Sequence, residues 1–179
     1  METKTTPGKS SIQFGILFGV IMILELVISY VLNIGTENKA FGVVLNLLNY
    51  LVFPFIFIYL GCNNYKTKLN DGFISFGECI KIGLSIAFVA SFLYGVFYIV
   101  FNMIFPEFLP DMIEKIKDIT QKENPNMTQE QLDLSMAIVQ KVMNPYITAP
   151  LGIAINCFVA LLHSLVIGAI VKKERPATF

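Results

Sequence analysis

Tryptophan is absent from these 179 residues, histidine occurs once, and only 15% of the residues are charged. An ordinary soluble domain is roughly one-quarter charged, so this chain has too little polar side chain to coat a globule of its own. The three cysteines, Cys62, Cys79 and Cys157, stand at no metal or redox spacing and read as unpaired packing residues. No phosphate-loop, dinucleotide, zinc or Ser/His/Asp pattern is present, and one histidine leaves little room for acid–base work. The expectation is a non-enzyme without a cofactor. Thirteen basic and thirteen acidic residues cancel. That balance excludes a basic nucleic-acid binder and an acidic disordered tail. What the chain has in quantity is apolar: 55% of residues are hydrophobic, sixteen are Phe, and the mean hydropathy is +0.66. Lipid is the solvent such a composition requires.

A bilayer core needs roughly 20 apolar residues of helix to cross it, and four stretches meet that test. They cover residues 11–32, 40–60, 80–105 and 148–171, the third starting its apolar run at Phe76. The first is too long for the apolar part of a signal peptide, and no small-residue cleavage site follows it. It reads as a retained helix in a hairpin with the second. The predicted fold class is therefore all-α, a polytopic membrane protein with four transmembrane helices. Lys4, Lys9, Lys66, Lys68, Lys81, Lys172, Lys173 and Arg175 fall at one set of helix ends. By the positive-inside rule this places both termini in the cytoplasm. The one long loop, 106–147, is rich in acids and falls on the opposite side.

That loop has its own pattern. Leu109, Met112, Ile113, Ile116 and Ile119 recur at helical spacing, and Asn124-Pro125-Asn126 ends the run. Thr128 with Gln131 forms a capping box, and Leu132, Met136, Val139 and Met143 then line one face. The spacing predicts an amphipathic helical hairpin inserted between the third and fourth spans. Its stripes can pack on each other over the bundle, lie on the membrane, or receive a partner. Leu132, Met136, Val139 and Met143 are the candidate partner face, for a second copy or another membrane or extracytoplasmic protein. A second capping box, Ser75 with Glu78, opens the third span and gives Glu78 a structural role. The only glycosylation sequon, Asn126-Met127-Thr128, falls in the same loop.

Inside the spans, small residues recur every four positions: Gly83, Ala87, Ser91 and Gly95 in the third, and Gly15 and Gly19 in the first. The fourth repeats the device with Gly152, Asn156, Ala160, Ser164 and Gly168. Such stripes let helices approach closely, which accounts for all three. Pro54 interrupts the second span and frees the Tyr50 carbonyl. Glu25 is the one acid deep in the membrane, where a charge costs at least ~2.5–3.5 kcal/mol on insertion scales. Counting depth at about 1.5 Å per residue, Glu25 and His163 lean towards one another, and Asn156 is an equally good partner. Glu25, Asn46, Asn49, Asn156 and His163 form the candidate intramembrane polar cluster. It reads either as a neutral hydrogen-bonded core or as the lining of a proton or ion path.

The run Gly72-Phe73-Ile74-Ser75-Phe76-Gly77-Glu78-Cys79-Ile80-Lys81-Ile82-Gly83 resembles the signature of a bacterial four-pass membrane family, domain of unknown function 4199. A Lys before a Gly-rich first helix (Lys9 to Gly19) and a long polar segment before the last helix extend the resemblance over roughly residues 8 to 173. Glu78 and Cys79 stand where that family often has Gln and Ala. The resemblance implies the four-span topology and a bacterial inner membrane, and it implies no catalytic residue. Two roles fit: a structural, assembly or partner-binding subunit acting through the hairpin, or a small transporter or channel component using Glu25 and His163.

Overall fold

The computed structural model describes residues 6–32 and 39–175. The loop between the first two spans, with Glu37, and the N-terminal Lys4 lie outside them. Among the described residues the fold is all-α. Helix α1 is Pro7–Val31, α2 Lys39–Leu47, α3 Phe53–Asn64, α4 Phe76–Ile104, α5 Phe108–Glu123, α6 Gln129–Met143 and α7 Pro145–Val171. Helices α1, α4 and α7 are each long and apolar enough to cross a membrane, and so is the continuous stretch Ala40–Leu69 that contains α2 and α3. The second span thus extends nine residues beyond the 40–60 expected from composition, carrying Lys66 and Lys68 on its last turn. Large apolar side chains such as Leu17, Leu24, Phe88, Phe92, Phe158 and Ile170 face outward. Water would expel such a surface; lipid solvates it.

Helix α4 is the spine, with α1 and α7 packed along it and α3 bridging all three. Small residues make this possible. Gly83, Ala87, Ser91 and Gly95 are all buried. A Cβ on Gly95 would stand 3.1 Å from Ala149 Cβ of α7, and one on Gly83 would overlap the Ser164 hydroxyl. Gly15 and Gly19 of α1 meet a different strip of α4. A Cβ on Gly15 would lie 2.7 Å from Val89 Cβ and 2.9 Å from the Ile86 carbonyl oxygen. The core built around these contacts includes Phe18, Ile58, Ile82, Ile86, Ala90 and Ile167.

The end that carries both termini is clasped by the Gly72–Gly77 segment. Asp71 and Gly72 take positive φ (54° and 83°) to turn the chain. Ile74 and Lys173 then exchange two backbone hydrogen bonds of 2.9 Å. Arg175 reaches Asn70 Oδ1 and Asp71 Oδ2 at 3.1 Å, and Lys173 and Arg175 both lie over the Phe73 ring. The Ser75–Glu78 capping box forms as expected and also accepts the Tyr65 hydroxyl at 3.1 Å. Cys62 and Cys79 are fully buried, Cys157 is half-buried, and all three are free.

At the other end α5 and α6 form the expected hairpin, and the Thr128–Gln131 capping box starts α6. Of the arrangements open to the α6 stripe, local burial is the one seen. Leu132 and Met136 are only 2% and 7% exposed, and Val139 and Met143 are half-buried. The candidate partner face is thus partly turned inward, in a helix that contacts α5 and α7. An amphipathic helix buries its stripe locally when a neighbour offers an apolar face, and α5, which contacts α6, carries Met112, Ile113 and Ile116, each half-buried. The exposed apolar stripe of α6 is a different one, Leu134, Ile138 and Val142, continuing into Tyr146 and Ile147 at the start of α7.

Because the nearest atoms to a Gly15 Cβ include α4 backbone, Gly15→Ala is expected to cost about 1–3 kcal/mol by overpacking. Gly42→Ala, with nothing within 4 Å, is expected to be neutral or slightly stabilising. Unfolding midpoints of the two variants in detergent check this; equal midpoints would contradict the close α1–α4 contact.

Candidate functional site

The second span is not a regular helix. Residues Leu48–Val52 form a π-helical turn directly before Pro54, with the Phe53 N–H bonded to the Leu48 carbonyl. Proline has no N–H to give the Tyr50 carbonyl, and a local π turn is one way a membrane helix absorbs that loss. Beyond the turn, α3 packs into the bundle, whereas α2 makes little contact with the other spans. The bundle is therefore tight at the end of the termini and open in the half nearer the hairpin.

The opening is a cavity of about 360 Å3 between α1, α2, α4 and α7. Glu25 and Ser29 enter it from α1, and Asn46, Asn49 and Tyr50 from the second span. Ser91, Tyr94 and Tyr98 line it from α4, and Gly152 and Asn156 from α7. The Asn49 amide donates to Glu25 Oε2 at 2.5 Å and to the Leu45 carbonyl at 3.1 Å. That leaves Asn49 Oδ1 buried without a partner, and Ser29 Oγ and Ser91 Oγ share its condition. Buried polar atoms almost always find hydrogen bonds, so three orphans around one cavity mark it off from ordinary packing. Asn156 donates to its own helix, at the Gly152 carbonyl, 3.0 Å away. Tyr94 and Tyr98 stack with ring centroids 6.0 Å apart and an interplanar angle of 14°.

Four members of the candidate cluster, Glu25, Asn46, Asn49 and Asn156, thus line one cavity. His163 does not join them. Its Nδ1 donates to the Val159 carbonyl at 2.8 Å, and its ring meets Phe55 edge-on at 6.4 Å. Glu25 is reached by Asn49 of the π turn, whereas His163 lies beside Phe55 of α3. The small-residue stripe of α7 also divides. Ala160, Ser164 and Gly168 are buried, while Gly152 has nothing within 4 Å of its Cβ position and borders the cavity with Asn156. Close packing accounts for half that stripe only. Sequence reasoning overlooked Tyr50, Tyr94 and Tyr98 as lining residues, since tyrosines in a Phe-rich span carry no mark of which way they face. Among the described residues no group of three metal-ligating side chains exists.

These features define a four-span membrane protein with one polar cavity in the half nearer its hairpin. The chain matches the family described as protein of unknown function (DUF4199) over residues 13–173, and it belongs to that family. No curated protein matches the chain, and no solved structure does.

Removing the amide that holds Glu25 leaves a carboxyl oxygen unpaired. Asn49→Leu is expected to lower stability by about 1–3 kcal/mol. Asn46→Leu, at an exposed position, is expected to change it by less than about 0.5 kcal/mol. Unfolding in detergent reads both, and equal effects would deny the Asn49–Glu25 bond its role.

Proposed function

We propose that this is a non-enzymatic component of a small-solute transport system in a bacterial inner membrane. The solute occupies the cavity beside Glu25. The observation that carries this reading is the set of unpartnered polar atoms, Ser29 Oγ, Asn49 Oδ1 and Ser91 Oγ, gathered with a carboxylate in a membrane-spanning bundle. Intramembrane acids are costly and face protein interior or water-filled cavities, and Glu25 lies in the half towards which the cavity opens. The distribution of Lys and Arg supports cytoplasmic termini and an extracytoplasmic hairpin. On that threading the cavity opens in the extracytoplasmic half. His163 has no part in this reading. The rival role is partner docking through Leu132, Met136, Val139 and Met143, of which Leu132 and Met136 are buried and Val139 and Met143 half-buried.

A thiol reacts as thiolate, which needs water. Ser29→Cys is expected to react with a charged, membrane-impermeant thiol reagent added outside the cell at least about tenfold faster than Ile28→Cys, whose site faces lipid. The native chain sets the baseline. Equal, slow reaction at both positions would sink the proposal. An active alkaline-phosphatase fusion at Asn70 would reverse the threading.

A further inference from the structure

The lining of the cavity constrains what it accepts. Among the described lining residues Glu25 is the one formally charged group, and none is Lys, Arg or His. An anion would face an uncompensated carboxylate in a medium of low dielectric, whereas a monovalent cation would balance it. A bare metal ion is a poor match. One carboxylate falls short of the several oxygen charges a divalent ion gathers, and about 360 Å3 lies in the range of small-molecule sites, roughly 300–1,000 Å3.

Two further features favour an organic cation. Tyr50, Tyr94 and Tyr98 are among the lining residues, and aromatic rings attract ammonium groups. Met22, Leu26 and Leu45 add apolar wall for substituents on such a group. Hydrogen bonding refines the choice. An ionised Glu25 carboxylate accepts only. A protonated amine brings N–H donors that satisfy acceptors; a quaternary ammonium brings none.

Building on the transport reading above, we propose that the cavity binds a protonated amine bearing apolar or aromatic substituents. Its ammonium group sits against the Glu25 carboxylate, and its apolar part lies along the wall that includes Tyr94 and Tyr98. The ion-pair partner is Glu25, and the tyrosines set the preference for an organic over an inorganic cation.

Equilibrium dialysis of radiolabelled benzylamine against the purified full chain in detergent tests this, with benzyltrimethylammonium, benzyl alcohol and benzoate as competitors. The native chain is expected to bind benzylamine saturably, with benzyltrimethylammonium weaker and the neutral and anionic analogues weaker still, by at least tenfold. Glu25→Gln is expected to lose at least tenfold in affinity, and Tyr94→Leu several-fold. Should Glu25→Gln not yield a monodisperse protein, the competitor series and Tyr94→Leu carry the test alone. Unchanged binding in Glu25→Gln, or benzoate competing as well as benzylamine, would overturn the proposal. If native protein binds no benzylamine while Ser29→Cys still reacts with the aqueous reagent, the ligand class is wrong and the transport reading stands. If Ser29→Cys is also inert, both fall.

Discussion

The architecture rests on how closely two helices approach α4. Within lipid no hydrophobic force drives apolar helices together, so backbones must come near enough for dispersion and short polar contacts to act. Gly83 and Gly95 let α7 in on one side of α4, and Gly15 and Gly19 let α1 in on the other. With those two seams closed, α1, α4 and α7 form a rigid unit. The clasp between Ile74 and Lys173, with Lys66 donating to the Val171 carbonyl at 2.8 Å, secures one end of it. Everything the chain does with its remaining span happens against that unit.

The second span is divided by Pro54. Its α3 half joins the bundle through Phe57, Ile58 and Cys62, with Phe57 stacked on Phe18 at 5.4 Å. Its α2 half stands off, and the space left behind is where Glu25 finds Asn49. One missing backbone N–H thus connects a sequence feature to a cavity. The π turn supplies the Asn49 amide to the carboxylate, and near that contact the buried Ser29 and Ser91 hydroxyls find no hydrogen-bond partner.

The four spans, the hairpin and both capping boxes were legible in the sequence, because each depends on local pattern: apolar length, helical spacing, and a hydroxyl three residues before a Glu or Gln. Membership of a cluster was partly legible. Glu25, Asn46, Asn49 and Asn156 stand out as polar residues in apolar runs, and depth alone brings them to one level. The exclusion of His163 was not legible, since it depends on which side of α7 faces α3. The inward turn of Leu132 and Met136 was undecidable for a related reason. α6 carries two apolar stripes, and only the position of α5 selects which one is covered. The α7 stripe misled in the other direction: Gly152 and Asn156 share the spacing of close-packed residues, yet nothing lies within 4 Å of a Gly152 Cβ.

The central claim is that water and small polar solutes reach Glu25 within the membrane. Water-edited solid-state NMR of labelled protein in lipid bilayers measures this directly, by the rate at which magnetisation passes from water to each side chain. The account predicts transfer to Glu25, Ser29 and Ser91 as rapid as to exposed hairpin residues such as Gln129. Transfer at those sites as slow as at Ile86, buried on α4 beside Gly61 of α3, would contradict it.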